Sequence, residues 1–443
     1  MSPEEIGARL IAAARAAGAE AADALVVSAR ERGVSVRGGA LEAAEGSEGL
    51  DFGLRALIGR RQACVSGGDP AAIGEMAARA VAMARAAPED PWCGLPEGGL
   101  ADPAALPALE IDEEGPEPAP ATLLAEAAVA EAAALAVEGV SQVESAEAGW
   151  RRSSVFYCAS NGFSGGYARS SASLSVSAVA GEGLGMETDY DFAARTHRAD
   201  LPPPEEIGRE AGLRAVARLA PRRAKTGAFP VLFDRRVAGS LVGHILSVID
   251  GAAVARGASW LKDRMGEAVL PAGFSLLDEP LRRRGLGSRP FDGEGLPLSA
   301  RALIEDGALR GWTLDSATAR RLGLPAPGGA RRGTGGPPGP GTSNLRLAAP
   351  GRPRDELIRE MGEGLIVTQL IGSSISQTTG AYSRGAAGFW VSGGEIAYPV
   401  NELTIAGSLP DFLMRLVAAD DADETKSLVT PSLLAEGLVA ASA

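Results

Sequence analysis

Glycine and proline interrupt this chain at short intervals, and their density constrains the fold more than any other feature. There are 58 glycines and 29 prolines in 443 residues. Glycine weakens helices and strands and proline ends them, so we expect many short elements joined by turns. Aromatic residues make up only 5 % of the chain, which indicates a core built mainly from small side chains. The glycines follow no sustained three-residue period, so a collagen-like helix is excluded.

The length, hydrophobicity and charge of the chain limit the classes of protein to which it can belong. A typical domain size predicts two to three domains in 443 residues. Hydrophobic residues form 45 % of the chain, which is enough for a packed core and excludes disorder throughout. The formal net charge is −13, so the chain lacks the overall basic surface of a phosphate-binding protein. Nucleic acid is therefore not expected among its partners.

Cysteine usage and the N-terminal residues predict a cytoplasmic protein. Cys64, Cys93 and Cys158 are an odd, sparse set that cannot form a disulfide framework, which is typical of a reducing compartment. Residues 1–5 read MSPEE, and the apolar region of a signal peptide is absent there. No stretch reaches the roughly 18 uninterrupted apolar residues of a transmembrane helix, so no membrane association is expected.

The first 96 residues are predicted to form an α/β domain. Apolar residues at helical spacing predict helices over 4–18 and 71–87. Between them, short alternating segments that meet at glycines predict a β-meander. Its five strands are placed at 24–28, 33–37, 40–45, 49–58 and 61–66. Residues 97–120 are dense in proline, glycine and acidic residues and are predicted to be a linker.

Two further regions follow this linker, and together the three predict an α+β protein. Residues 121–222 are predicted to be an α/β region with helices over 121–138 and 203–219. Strands in that region are placed at 141–147, 155–160 and 167–180. Residues 227–443 are predicted to form a β-rich domain that begins with a strand and an apolar helix at 237–249. Within it, residues 325–342 are dominated by proline, glycine and arginine and are predicted to be a mobile loop.

Few residue types suited to catalysis or metal binding occur in the sequence. His197 and His244 are its two histidines, and neither a C-x-x-C pair nor a phosphate-binding glycine motif occurs. His197 lies in a polar stretch and is interpreted as solvated. Residues 162–166, GFSGG, match the G-x-S-x-G pattern of hydrolases, but that motif needs a helix after the serine. The sequence after Ser164 alternates like a strand, so the motif is interpreted as a hairpin turn.

The remaining polar candidates also have structural interpretations. His244 lies in an apolar helix, where a single histidine is more often an interior or interface residue than a metal ligand. Asp189 and Asp191 share one face of a predicted strand, so they could exchange protons or bind a cation. The alternative for this pair is an exposed or hydrogen-bonded strand face. Asp292 and Glu294 are interpreted as an acidic turn.

The C-terminal part of the chain carries the most specific pattern. TGAYSRGAAGFW at 379–390 is followed by GEIAYPV at 394–400 and LTIAG at 403–407. This block closely resembles the TldD/PmbA family, often labelled modulator of DNA gyrase, and within it the PmbA branch, also called TldE. VARGASWL at 254–261 and LDSATAR at 314–320 agree, and the resemblance extends over essentially the whole chain. It implies an α/β N-terminal part and a largely antiparallel, barrel-like C-terminal domain.

The resemblance also implies a two-subunit zinc metallopeptidase. The TldD-type subunit of such an enzyme carries H-E-x-x-x-H on a helix and a later cysteine as zinc ligands, with the glutamate as general base. In this chain the corresponding helix falls on 242–247, where Val242 and Ser247 occupy the ligand positions and Gly243 the glutamate position. No cysteine follows Cys158. The resemblance therefore implies no catalytic residue, metal ligand or cofactor in this chain, and zinc in a TldD-type partner.

These features give one leading hypothesis and two alternatives. The leading hypothesis is a non-catalytic partner subunit, in a heterodimer or larger assembly, of a metallopeptidase that processes unfolded peptides. Tyr382, Arg384 and Trp390 are candidates to line a peptide channel, or else they brace the domain core. The alternatives are a stand-alone peptidase, with Ser164 and a histidine as its options, and a regulatory protein that binds an enzyme such as gyrase.

Overall fold

The computed structural model describes residues 1–442 and shows a mixed α+β protein. Helices account for 25 % and strands for 40 %, and the sheets are mostly antiparallel, so the predicted fold class is confirmed. None of the helices in residues 1–442 has the length and apolar content needed to cross a membrane. The helices in this part of the chain are α1 (Pro3–Ala16), α2 (Ile73–Ala86), α3 (Pro120–Leu135), α4 (Pro204–Ala217), α5 (Arg235–Val248), α6 (Gly251–Ala255), α7 (Ser316–Leu322), α8 (Arg354–Met361) and α9 (Leu409–Leu413).

The strands of the described residues form three sheets. The first sheet contains β1 (Ala21–Arg37), β2 (Ala40–Ile58), β3 (Arg61–Gly67), β4 (Val140–Ala159), β5 (Ser164–Ala180) and β6 (Glu187–Arg195). The strands of the other two sheets are β7 (Gly227–Phe233), β8 (Ser275–Asp278), β9 (Arg301–Glu305), β10 (Ala308–Leu309), β11 (Leu345–Ala348), β12 (Gly351–Arg352), β13 (Glu363–Ile375), β14 (Ala381–Ser392), β15 (Glu395–Ser408), β16 (Val417–Ala419), β17 (Leu428–Val429) and β18 (Leu433–Ser442).

The first sheet is antiparallel and has the order β3-β2-β1-β4-β5-β6. Because side chains alternate along a strand, even-numbered residues of β1 such as Val26 and Val34 share one face. Helices α1 and α2 cover that face at one end of the long strands, and α3 and α4 cover it at the other. The opposite face contacts the C-terminal region near Tyr157 and Phe291. One sheet thus joins the segments 1–96 and 121–222, whose division into separate units stays a prediction.

The strands of this sheet are longer than predicted. The four segments expected between residues 24 and 58 merge into β1 and β2, and two further predicted segments merge into β4. The prediction of separate strands is wrong because glycines such as Gly33 and Gly49 continue in extended backbone. The turn between β1 and β2 is made by Gly38 and Gly39, whose φ angles of 62° and 74° favour glycine.

A closed five-stranded barrel forms the centre of the C-terminal region, which confirms the expectation of a barrel-like domain. The barrel runs β7-β13-β14-β15-β18 and closes where β18 pairs with β7. Alternate residues of these strands pack with α5 in the largest hydrophobic core. Residues between them, such as Leu232 and Ile366, pack against α8. Ala443, the last residue of the predicted C-terminal domain, lies outside the described residues.

The remaining sheet has the order β10-β9-β8-β11-β17 and contacts the loop 325–342, since Arg301 on β9 donates to the main-chain oxygen of Gly328 at 3.1 Å. All of residues 325–342 are described, and they contain no helix or strand, as predicted for a loop. The loop is nevertheless anchored. The main-chain N–H groups of Gly329 and Ala330 donate to Asp292 at 2.9 and 3.0 Å, and Arg331 and Gly339 form an antiparallel bridge. Composition alone indicated a loop but could not show these contacts.

Candidate functional site

Helix α5 carries the positions that correspond to the metal-binding helix. Asp234 caps it, with Oδ1 accepting a hydrogen bond from the Arg236 main-chain nitrogen at 3.1 Å. Apolar residues at helical spacing bury one face of α5 in the core of the C-terminal region. Val242 lies on this buried face and offers no donor atom. Ser247 is half-buried, and its hydroxyl donates to the main-chain oxygen of His244 at 2.7 Å.

His244 packs against β14. The centroid of its ring lies 5.7 Å from that of Tyr382, and the ring planes meet at 72°. Its Nε2 is buried and has no hydrogen-bond partner. Burial, and secondarily the positive charge of Arg384, lowers the pKa of His244 below its usual 6.5. The imidazole is therefore neutral at neutral pH.

The residues on α5 do not fit a zinc ion. A zinc site takes about four donor atoms from histidine, cysteine, carboxylate or water. At this helix the chain offers one imidazole, His244, because Val242 is apolar and Gly243 has no side chain. Among residues 1–442, no three or more histidine, cysteine, aspartate or glutamate side chains form a group that could hold a metal ion.

The three candidate channel residues lie on β14. Tyr382 and Trp390 are 2 % and 0 % exposed. Each packs edge-to-face on another ring, Tyr382 on Phe412 at 5.4 Å and Trp390 on Phe229 at 4.9 Å. Arg384 is half-buried, and its Nε has no hydrogen-bond partner. The burial of Tyr382 and Trp390 favours the bracing interpretation, and a role for the three residues in a peptide channel stays a prediction.

The G-x-S-x-G segment forms a hairpin between β4 and β5, as predicted. Ser164 is the first residue of β5 and lies opposite Cys158, so a strand and not a helix follows the serine. Among the described residues no side-chain hydrogen bond joins Ser164 to either histidine, and Nε2 of His197 lies 2.9 Å from the main-chain oxygen of Glu110. Burial raises the pKa of Cys158 to about 12, so its thiol stays protonated. No activated nucleophile is formed at this hairpin.

Asp189 and Asp191 on β6 are each held in an ion pair. Asp189 Oδ1 accepts from Arg236 Nη2 at 2.5 Å, and Asp191 Oδ1 accepts from Arg214 Nη1 at 2.7 Å. Asp189 is buried and Asp191 is half-buried. The interpretation of this pair as a hydrogen-bonded strand face is therefore confirmed.

The same strand borders a cleft of about 600 Å³ between the first sheet and the C-terminal region. Tyr190 and Phe192 are 44 % and 45 % exposed, and their ring centroids are 6.2 Å apart. A cation lies over each ring, Arg236 at 4.9 Å and Lys426 at 4.0 Å. The main-chain oxygens of Tyr190 and Phe192 accept hydrogen bonds from Arg214 and Lys426. These side chains block the edge of β6 against a further strand but leave the rings accessible.

Sequence reasoning missed a buried charged cluster between the first sheet and the C-terminal region. Asp23 Oδ2 accepts from Arg55 Nε at 2.9 Å, and Asp23 Oδ1 accepts from Arg332. Burial alone would raise the pKa of Asp23, but the guanidinium groups of Arg332 and Arg55 outweigh it and lower that pKa below 3.8. The one signal in the sequence is a charged residue inside an apolar strand. Arg55 is 32 residues away from Asp23 and Arg332 is 309, so spacing could not reveal the cluster.

The acidic turn at 292–294 is buried, which its charge did not predict. Asp292 accepts main-chain hydrogen bonds of 2.8–3.0 Å from Glu294, Leu296, Gly329 and Ala330. Glu294 Oε2 accepts from the main-chain nitrogen of Ser316 at 2.8 Å. Burial, followed by repulsion from Asp292, raises the pKa of Glu294 to about 7. The turn is an internal support for the loop 325–342.

Three domain models of PmbA/TldA metallopeptidases match successive parts of the chain. The model of domain 1 matches residues 22–84, the central domain matches 112–219 and the C-terminal domain matches 226–442. Metalloprotease PmbA of Escherichia coli O157:H7 is 36 % identical over 398 residues, which cover 89 % of this chain and 86 % of that protein. A metalloprotease of Methanothermobacter thermautotrophicus is 26 % identical over 402 residues, with the same coverage of 89 % and 86 %.

Solved structures share the fold over nearly the whole chain. TldE from Thermococcus kodakarensis has a TM-score of 0.84 at 20 % identity and covers 98 % of this chain and 99 % of its own. A protein from Bacteroides thetaiotaomicron, named as a candidate modulator of DNA gyrase, has a TM-score of 0.87 at 23 % identity, with coverage of 99 % and 98 %. The fold thus defines an α+β protein in which a long antiparallel sheet adjoins a closed barrel. The domain matches and the E. coli relative show that the chain belongs to the PmbA/TldD metallopeptidase family.

Proposed function

We propose that this chain is the non-catalytic, TldE-type subunit of a cytoplasmic TldD/TldE zinc metallopeptidase that processes unfolded peptides. The observation that carries the proposal is the chemistry of α5. The two positions that would hold the histidine ligands carry a buried valine, Val242, and a serine, Ser247, whose hydroxyl donates to the helix backbone. The position of the general base carries Gly243. A chain with a family-like fold and these residues can complete an assembly but cannot activate water.

In this assembly the partner supplies the zinc and the general base. A TldD-type subunit with H-E-x-x-x-H and a later cysteine would hold the metal and its hydrolytic water. The present chain would stabilise the complex and form part of the peptide cavity. Tyr382, Arg384 and Trp390 belong to this proposal as residues that shape the cavity from β14, and the burial of the two aromatic rings supports a bracing role.

The cleft beside β6 supports an unfolded peptide as the substrate class. An unfolded chain presents apolar side chains that a folded protein buries. Tyr190 and Phe192 offer accessible ring faces, and Arg236 and Lys426 lie over them. Because side chains already occupy the main-chain oxygens of β6, contact there would be through side chains and would depend little on sequence.

The test is a zinc and peptidase assay on the purified chain, alone and mixed with an H-E-x-x-x-H subunit from the same organism. We expect zinc, cleavage of an unstructured peptide and a stable complex on size-exclusion chromatography in the mixture, and neither zinc nor cleavage with the chain alone. Ser164→Ala should leave the activity of the mixture unchanged, since the hairpin holds no activated nucleophile.

Two results would replace this proposal. Stoichiometric zinc and cleavage by the chain alone would show that the assignment of α5 is wrong. Loss of such activity in Ser164→Ala would then establish the stand-alone peptidase. Direct binding of gyrase by the chain, with no complex formed in the mixture, would favour the regulatory protein.

A further inference from the structure

A small cavity of about 140 Å³ lies between the first sheet and the C-terminal region. The sheet contributes side chains from the face of β1, β4 and β5 opposite the helices, and the C-terminal region contributes the turn near 292 and the loop near 331. The apolar walls of the cavity are Leu25, Val27, Val155, Tyr157, Tyr167 and Phe291. Three arginines, Arg289, Arg331 and Arg332, also line it. Arg331 already donates its Nε to the main-chain oxygen of Thr342 at 2.7 Å.

Arg332 is buried without enough hydrogen-bond acceptors. Its side chain is 1 % exposed, and its Nη1 donates to Asp23. Its Nε and Nη2 are buried and have no partner. The carboxylate of Asp23 is already shared with Arg55, which donates through Nε at 2.9 Å and Nη2 at 2.5 Å. One buried negative charge therefore faces two guanidinium groups.

Arg289, which also lines the cavity, has one unpartnered nitrogen where Arg332 has two. Its Nη2 donates to the main-chain oxygen of Gly329 at 3.1 Å, while its Nε is buried and has no partner. Among residues 1–442, no carboxylate lies within 4.0 Å of its guanidinium nitrogens. Asp292 lines the cavity too, but its two oxygens already accept four main-chain hydrogen bonds.

We propose that this cavity binds a small organic carboxylate, with its apolar body between the aromatic rings and its oxygens on Arg289 and Arg332. Buried N–H groups without acceptors are costly and commonly mark a bound water, ion or ligand. A carboxylate matches the paired N–H donors of a guanidinium, and the charge it brings offsets the excess of guanidinium groups. The walls and the volume suit a ring-sized body, since a cavity of about 150 Å³ holds benzene. All of the residues that line the cavity belong to this chain, so the proposal does not rest on the proposed function.

Benzoate is the probe for this site, because it joins one ring to one carboxylate. Titration of the full chain with benzoate at neutral pH should show saturable binding with one molecule per chain. Benzyl alcohol, which keeps the ring but lacks the charge, should bind about tenfold more weakly or worse. Arg289→Gln should weaken benzoate binding by about tenfold or more, because it removes one charged donor and leaves the pair of Arg332 with Asp23 in place. Arg310→Gln, at an exposed arginine paired with Glu305, should leave the affinity unchanged.

A second variant keeps the test decisive if Arg289→Gln fails to fold. Val155→Phe should fill the cavity and abolish benzoate binding without removing a charge. A crystal structure with benzoate should place its carboxylate between the two arginines. The proposal is overturned if benzoate does not saturate, if benzyl alcohol binds equally well, or if Val155→Phe binds benzoate like the parent chain. It is also overturned if inorganic phosphate binds in place of benzoate, or if the crystal shows only water in the cavity.

Discussion

Glu294 is a buried carboxyl group placed beside a second one, Asp292. Its side chain is held by the main-chain nitrogen of Ser316 at 2.8 Å, and the residue is 1 % exposed. Burial and repulsion from Asp292 disfavour the charged form more than hydrogen bonding from Ser316 favours it, so the pKa of Glu294 rises from 4.5 to about 7. In the folded chain Glu294 therefore keeps its proton at a pH where the unfolded chain has lost it.

Glu294→Gln is expected to remove a pH-dependent loss of stability. Between about pH 4.5 and pH 7 the folded chain binds one more proton at Glu294 than the unfolded chain, so stability falls as the pH rises through this window. Above pH 7 Glu294 is ionised in both the folded and the unfolded chain, and its burial then lowers the free energy of unfolding by about 3 kcal/mol. The variant cannot ionise, so its free energy of unfolding should match that of the parent near pH 4 and exceed it by ~3 kcal/mol at pH 8. Urea unfolding at several pH values measures this difference.

An exposed glutamate gives the matched control for this experiment. Glu305 is 61 % exposed and pairs with Arg310 at 3.2 Å, so Glu305→Gln should change stability by less than about 0.5 kcal/mol at every pH. If the stability of Glu294→Gln followed the parent curve from pH 4 to pH 8, ionisation of the carboxyl group would not be coupled to folding.

At the scale of an element, strand β2 and the loop 325–342 meet at Gly53. A Cβ atom added at Gly53 would lie 2.0 Å from the main-chain oxygen of Thr334 and 2.7 Å from its Cα. Thr334 also donates its hydroxyl hydrogen to Asp51, two residues earlier on β2. The glycine therefore allows the loop to approach the sheet closely, and backbone on both sides leaves no flexible group that could move away.

Gly53→Ala is expected to destabilise the chain and to release the loop from β2. The free energy of unfolding should fall by about 1–3 kcal/mol, as at other overpacked sites. Trypsin should also cleave faster after Arg331 or Arg332. Gly49→Ala on the same strand is the control, because nothing lies within 4 Å of its added Cβ and alanine suits a strand better than glycine. Equal unfolding midpoints and equal cleavage rates for the two variants would contradict the close approach.

The elements that could be predicted are those whose signal is local. The helical pattern of the sequence predicted α1 to α4 with ends within a few residues of those observed. The family resemblance predicted that Val242 and Ser247 lie on one helix, α5. The strands could not be joined across Gly33 and Gly49, because the sequence does not distinguish a glycine in a turn from a glycine within a strand. The sequence indicates an acidic turn at 292 and 294 but not its burial, because the partners Gly329, Ala330 and Ser316 are distant in sequence.

At the scale of the whole molecule, Asp23 joins the two halves of the chain. It lies on β1 in the first sheet and accepts hydrogen bonds from Arg55 on β2 and from Arg332 in the loop of the C-terminal region. The hydroxyl of Tyr157 on β4 also lies 3.3 Å from Asp23 Oδ2. Because the pKa of Asp23 is lowered, its contribution to stability is present above its unfolded pKa near 3.8 and is lost as the pH falls through the folded value.

Asp23→Asn tests whether this carboxylate holds the halves together. Asparagine keeps the shape but not the charge, so Arg55 and Arg332 would be left as two buried cations without a counter-ion. Removing one partner of a buried ion pair costs about 3–5 kcal/mol, and a loss of that size is expected at pH 7 by urea unfolding. The loss should shrink once the pH falls below about 3.8, because the unfolded parent chain then binds a proton at Asp23 that the folded chain does not.

Asp51→Asn tests whether the loss of stability in Asp23→Asn comes from the buried charge or from weaker contacts of the loop 325–342 in general. Asp51 is exposed and accepts from Thr334 in the same loop, so its substitution should cost less than about 1 kcal/mol. A large loss in Asp23→Asn with a small loss in Asp51→Asn means that the buried ion pairs, and not loop contacts in general, fix the C-terminal region on the sheet. Equally large losses in both variants would mean that loop contacts in general, and not the buried ion pairs, fix the C-terminal region. Equally small losses would mean that Arg55 and Arg332 find other acceptors when Asp23 loses its charge.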